Sequence, residues 1–222
     1  MKSRDRSKNA EAKSPVGSQT QRLKIKSVQR AEVKRVGLFG GSFDPVHLAH
    51  VSLAKKALDQ FQLDRIVWIP AAISPFKQAG PTASAADRLS MLQIVCRDQP
   101  RFEINNFEIE QGGVSYTIDS LRYFQKQNPS AQIYWILGAD AWKDINAWKE
   151  SSTLLKEMTF IVAARSGHLE PVNQGGKRLD MDYSPIASSE IRAGLSRGRY
   201  WDHLDPRVAD YIRKNKLYGV SA

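Results

Sequence analysis

The chain has 222 residues, 41% of them hydrophobic, one cysteine and a formal charge of +10. A single cysteine, Cys96, excludes an intrachain disulfide, and a chain of this size buries one sizeable α/β core rather than two. The charge does not mark a nucleic-acid binder: residues 1–35 hold 11 Lys or Arg against 3 Asp or Glu, a surplus of 8 out of the total of 10, so the remainder is nearly balanced.

In chain order, segment 1–33 is rich in Lys, Arg, Ser and Gln without a periodic apolar face, and is expected to be a basic, disordered tail. It lacks the apolar core of a signal peptide, and no stretch of the chain is long enough to span a membrane. With one cysteine, a reducing, cytoplasmic setting is expected. Residues 34–222 read as a single domain. Expected strands are Arg35 to Phe39, Arg65 to Pro70, Phe102 to Ile104, Gln132 to Leu137 and Thr159 to Ala163. Expected helices are Leu48 to Phe61, Ala85 to Arg97, Thr117 to Lys126 and Ser151 to Lys156, with Gly167 to Lys177 an exposed loop. Strands alternating with helices predict a Rossmann-like, doubly wound α/β fold: a mostly parallel sheet with helices on both faces. Ligands in such sheets sit beyond the carboxyl ends of the strands, near the switch in strand order.

The first strand runs into Gly40-Gly41-Ser42-Phe43-Asp44-Pro45-Val46-His47-Leu48-Ala49-His50. Two glycines let the backbone approach a ligand closely and leave turn amides to meet anionic oxygens, and the following helix N-terminus adds positive potential. His47 and His50, one turn apart, are placed to reach one phosphate group. Zinc fits poorly, because metalloprotease histidines stand four apart around a Glu and no cysteine lies nearby; no metal site is expected. A second cradle is Ile186-Ala187-Ser188-Ser189-Glu190-Ile191-Arg192, where Ser188 or Ser189 would cap a helix through Leu195 and Arg192 sits one turn in. Alone, this run also fits an ordinary cap with a surface arginine.

The first of these runs resembles the N-terminal signature of the nucleotidyltransferase superfamily, Gly-Gly-Ser/Thr-Phe-Asp-Pro-x-His-x-Gly-His, with Ala49 where Gly is usual. The second resembles its Ile-Ser-Ser-Thr-x-Ile-Arg signature, with Ala187 and Ser189 departing. Between them, Ser115-Tyr116-Thr117 and Gly138-Ala139-Asp140, with Trp148 ten residues beyond Gly138, resemble patterns of bacterial nicotinate-nucleotide adenylyltransferases. So do Ile161 to Gly167, Asp205-Pro206-x-Val208, Tyr211-Ile212 and Leu217-Tyr218. The resemblance covers residues 34–219.

It implies transfer of an adenylyl group from ATP, with Mg2+, to nicotinate mononucleotide, with small-molecule partners and no nucleic acid or membrane. It places ATP at Gly40, Gly41, Ser42, Phe43, His47, His50, Ile186, Ser188, Ser189 and Arg192. A pyridine ring with a carboxylate needs a flat aromatic partner and fixed donors; Trp148 suits the ring, and Thr117 with the Lys149 amide suits the carboxylate, beside Tyr116. Asp140 suits ribose hydroxyls, and the planar fork of Arg165 suits a phosphate. Trp135 and Trp142 read as core. Lys77, in Ser74-Pro75-Phe76-Lys77, aligns with the basic end of a Pro-Pro-His-Lys loop from which Ser74 and Phe76 depart. His47, His50, Lys77 and Arg192 are the expected catalytic groups.

Overall fold

The computed structural model describes residues 34–76, 80–164, 175–180 and 186–221. The expected tail, Lys77, Arg165 and most of the loop from Gly167 to Lys177 lie outside these residues. Six strands, β1 (Arg35–Gly41), β2 (Arg65–Pro70), β3 (Phe102–Ile104), β4 (Gln132–Gly138), β5 (Thr159–Ala164) and β6 (Lys177–Asp180), form one sheet in the order β3-β2-β1-β4-β5-β6. Every pairing is parallel. From β1 the chain winds outward to β2 and β3, then returns to place β4 on the other side of β1. The switch in strand order therefore lies between β1 and β4.

Among the described residues eight α-helices accompany the sheet: α1 (Leu48–Gln60), α2 (Ala85–Cys96), α3 (Phe107–Gln111), α4 (Thr117–Gln127), α5 (Ala139–Lys143), α6 (Ser151–Glu157), α7 (Ser188–Leu195) and α8 (Pro206–Lys214). Strand residues alternate between two cores, because successive side chains of a strand point to opposite faces. Phe39, Ile66, Trp68, Tyr134 and Ile136 join α1, α2, α7 and α8 on one face. Val36, Leu38, Val67, Ile69, Ile133 and Trp135 join α4 and α6 on the other. Burial on both faces explains why the central strands are apolar runs rather than alternating patterns. Trp135 is buried in this second core and Trp142 packs against it, as expected.

Local chemistry fixes the helix starts. Ser84 Oγ caps α2 by accepting the Asp87 amide at 3.1 Å, and Asp205 caps α8 by accepting the Arg207 amide at 2.9 Å ahead of Pro206. Each such cap contributes about 1 kcal/mol. Lys177 belongs to β6 rather than to a loop. Leu179 is the one buried apolar residue of β6, which is too little to give a periodic signal on a short, charged edge strand. Among the described residues no helix is long and apolar enough to cross a membrane.

Candidate active site

A cavity of about 660 Å³ opens at the carboxyl ends of β1, β2 and β4, where the strand order reverses. Gly40 and Gly41, expected in a turn, remain within β1 and pair with Ile69 and Pro70. A Cβ at Gly40 would lie 2.5 Å from Trp135 Cζ2, and one at Gly41 would lie 3.0 Å from Phe43 Cζ. Glycine is required here because aromatic rings pass close to the strand end. The chain turns only after β1, with Phe43 at φ 46 and a cis bond between Asp44 and Pro45. The left-handed backbone of Phe43 is unfavourable for a bulky residue. It is held by a ring that packs 5.3 Å from Phe39, 5.1 Å from Trp68 and 5.2 Å from His50, centroid to centroid. The Phe43 side chain is thus part of the core and does not line the cavity.

Gly40, Gly41 and Ser42 line one side of the cavity, and Tyr116, Thr117, Asp140, Trp148 and Lys149 line the rest together with Glu108, Ser115 and Phe76. Tyr116 is the N-cap of α4 and Thr117 its first residue, so Thr117 stands at the positive end of an 11-residue helix. Trp148 is half-buried between Phe76, 6.2 Å away, and Phe160, 6.4 Å away. Its Nε1 is buried and has no hydrogen-bond partner among the described residues. Lys149 places Nζ 4.6 Å from the Tyr116 ring centroid and 3.3 Å from Asp119 Oδ2.

Among the described residues, His47, His50, Ile186, Ser188, Ser189 and Arg192 do not line this cavity. His47 is the N-cap of α1, with φ −139 and ψ 169, rather than a residue of its first turn. Its ring is buried and lies against that of His50, with centroids 3.7 Å apart and the planes tilted by 34°. Burial, with a smaller contribution from nearby His203, lowers the His47 pKa from 6.5 to about 4, so the ring is neutral at pH 7. The His47 amide donates to His50 Nδ1 at 3.3 Å, which leaves the His50 ring proton on Nε2. The α7 end docks on the same turn: Ser188 Oγ donates to the Pro45 carbonyl at 3.1 Å and Arg192 Nη1 to the Asp44 carbonyl at 2.5 Å. The cap of α7 is Ala187, not Ser188 or Ser189; the Glu190 carboxylate accepts the Ala187 amide at 2.8 Å instead of a cap hydroxyl taking an amide. Ile186 is half-buried against the core and Ser189 is exposed. The two cradles, some 140 residues apart in sequence, therefore meet at Asp44 and Pro45.

The cytidylyltransferase-like family model matches residues 38–194. A probable nicotinate-nucleotide adenylyltransferase from Opitutus terrae is 40% identical over 193 residues, covering 84% of this chain and 99% of that protein. One from Neisseria gonorrhoeae is 35% identical over 200 residues, with the same coverage. The chain belongs to the nicotinate-nucleotide adenylyltransferases of the cytidylyltransferase-like family. Its fold is similar to that of the Plasmodium falciparum nicotinic acid mononucleotide adenylyltransferase complexed with NaAD, with a TM-score of 0.73 at 23% identity over 85% of this chain and 98% of that one.

Behind the docked elements of this nucleotidyltransferase lies a buried polar network that sequence reading misses. Asp44, 2% exposed, accepts from the Thr82 amide at 2.7 Å, the Ala83 amide at 3.0 Å and the Tyr218 hydroxyl at 2.9 Å, and lies 3.4 Å from Arg192 Nη1. Arg88, equally buried, donates to the carbonyls of Ser42 at 2.8 Å and Ala71 at 2.7 Å. Burial pulls its pKa down, and the charge of Asp44 opposes that pull. Burial also pushes the Tyr218 phenol up, as does Asp44. The one signal in sequence is Arg88 itself, which stands on the apolar stripe of α2 with Met91, Leu92 and Val95.

Proposed function

We propose that this enzyme transfers the adenylyl group of ATP to nicotinate mononucleotide, releasing nicotinate adenine dinucleotide and pyrophosphate, as a cytoplasmic step of NAD biosynthesis. The observation that carries this reading is the cavity at the strand switch, which Trp148 and the N-terminus of α4 line together. A flat ring meets the indole, and a carboxylate meets Thr117, the positive helix end and the Lys149 amide. Asp140, at the mouth, accepts from ribose hydroxyls, and Tyr116 closes the carboxylate side. Arg165 and Lys77 are assigned to acceptor phosphate and triphosphate through the family resemblance.

The reaction is an in-line displacement. An oxygen of the acceptor phosphate attacks the α-phosphorus of ATP, a P–O bond forms, and the bond to the β-phosphate oxygen breaks to release pyrophosphate. The attacking oxygen is already ionised at neutral pH, so alignment and charge stabilisation carry the catalysis. His50 donates from Nε2, because His47 holds its Nδ1 from behind. Arg192 adds a planar donor fork, and Gly40, Gly41, Ser42, Phe43, Ile186, Ser188 and Ser189 contribute backbone or hydroxyl groups around the nucleotide. Mg2+ accompanies ATP; among the described residues no group of three or more His, Cys, Asp or Glu side chains converges on a cation, and no step is routed through the ion.

Incubating the protein with ATP, Mg2+ and nicotinate mononucleotide tests this directly. Dinucleotide and pyrophosphate should appear in equal amounts, and the amide acceptor should give a much lower kcat/KM. Absence of pyrophosphate release, or equal use of both acceptors, would overturn the assignment.

A further inference from the structure

Glu108 is a buried carboxyl that the mechanism above does not use. It stands on α3, is 6% exposed and lines the cavity. Its Oε1 accepts from Ser120 Oγ at 2.5 Å, and Ser120 is fully buried on α4. The Ser115 hydroxyl also stands beside this carboxyl and pulls its pKa down. Ser115 Oγ in turn accepts the Ala72 amide at 3.0 Å. One carboxyl therefore links the loop beyond β2, the residues entering α4 and the first turns of α4 itself. Tyr116 and Thr117 lie between its two serine partners in sequence, so their backbone is held from both sides.

A buried carboxyl in this position needs its hydrogen bonds, because an unsatisfied polar group there costs more than an apolar replacement. Burial pushes its pKa up, Asp119 pushes the same way, and the Ser120 and Ser115 hydroxyls pull it down only in part.

We propose that Glu108 is a positioning residue for acceptor recognition: through Ser115 and Ser120 it fixes Tyr116 and Thr117 at the start of α4, where the acceptor carboxylate binds. The inference rests on reading the cavity as the acceptor subsite. The test is steady-state kinetics of the wild type, E108A, E108Q and S115A, with acceptor varied at saturating ATP and the reverse. E108A should raise the KM for nicotinate mononucleotide roughly tenfold and leave kcat and the KM for ATP within about twofold. Its preference for the acid over the amide acceptor should fall. E108Q keeps a carbonyl oxygen of the same reach and should stay within about threefold of the wild type. S115A should raise the acceptor KM about fivefold, and because Ser115 is only half-buried it carries the comparison should E108A fail to fold. Parallel losses in kcat and both KM values, or an E108Q variant as impaired as E108A, would overturn the positioning role. A wild-type enzyme that forms no dinucleotide would instead overturn the functional reading beneath it.

Discussion

At the end proposed for the acceptor the side chains leave space; at the end proposed for the phosphates they close on one another. Trp148, Thr117 and Lys149 surround a cavity, and the Trp148 indole N–H has no hydrogen-bond partner among the described residues. At the other end Arg192 is bonded to Asp44 and the His50 Nδ1 to the His47 amide, and the His47 ring lies against that of His50. The difference follows from what each ligand part requires. A planar ring needs a preformed gap, whereas phosphate oxygens need donors whose direction is fixed before they arrive, and fixing a donor means holding it from behind. Substitutions at the phosphate end should therefore affect turnover, with stability falling as well where the residue anchors buried partners, and those at the acceptor end should affect binding alone.

The largest effect is expected at Asp44. Removing its carboxylate in Asp44→Ala strands two backbone amides, the Tyr218 hydroxyl and the partly buried Arg192 charge. The expected loss is about 4 kcal/mol of unfolding free energy, with turnover falling in parallel. Urea denaturation at pH 7 measures it, and a shift equivalent to less than about 1 kcal/mol would remove Asp44 as the anchor of this region.

The His47 imidazole supplies the next effect, through pH. Its folded pKa of about 4 lies below the ordinary 6.5, so the unfolded chain binds the proton first as pH falls. The stabilisation is complete above pH 6.5 and is lost as pH drops toward 4. It amounts to about 3 kcal/mol for one group displaced this far. His47→Gln has no such titration, and its unfolding free energy should stay flatter than that of the wild type between pH 6.5 and 4. Equal slopes in the two proteins would mean that the His47 ring is not desolvated.

Turnover alone should respond at His50. His50→Ala removes one fixed donor while the Asp44 network remains, and kcat should fall about a hundredfold with the acceptor KM little changed. Initial-rate measurements at saturating substrates decide this, and an unimpaired variant would take His50 out of the catalytic group.

The two ends also differ in how much the sequence reveals. β1, β2, β4 and β5 are legible because burial on both faces makes them apolar runs, whereas β6 buries only Leu179 and the helices α3 and α5 are five residues each, too short for a period to emerge. Thr117 opens α4, as its motif suggests. The inward turn of Phe43 is not legible, because a left-handed phenylalanine is stabilised only by rings brought together in the fold. Nor is the anchoring of Asp44, whose partners Thr82, Arg192 and Tyr218 are 38, 148 and 174 residues away. Local motifs announce groups that face a ligand; the groups that hold them in place are joined only by tertiary contacts.

The smallest effect, and the sharpest for the comparison, belongs to Trp148. Stacking of an aromatic side chain on a flat heterocycle contributes about 1–3 kcal/mol. Trp148→Ala should therefore raise the KM for nicotinate mononucleotide by roughly tenfold, with kcat and the KM for ATP nearly unchanged. Trp148→Phe, which keeps an aromatic face, should recover most of the difference. The same experiment separates two occupants of the cavity, since adenine is also flat and aromatic. Were the KM for ATP to rise while that for the acceptor held, the ring against Trp148 would be the adenine, and the acceptor would have to bind on the far side of Gly40 and Gly41.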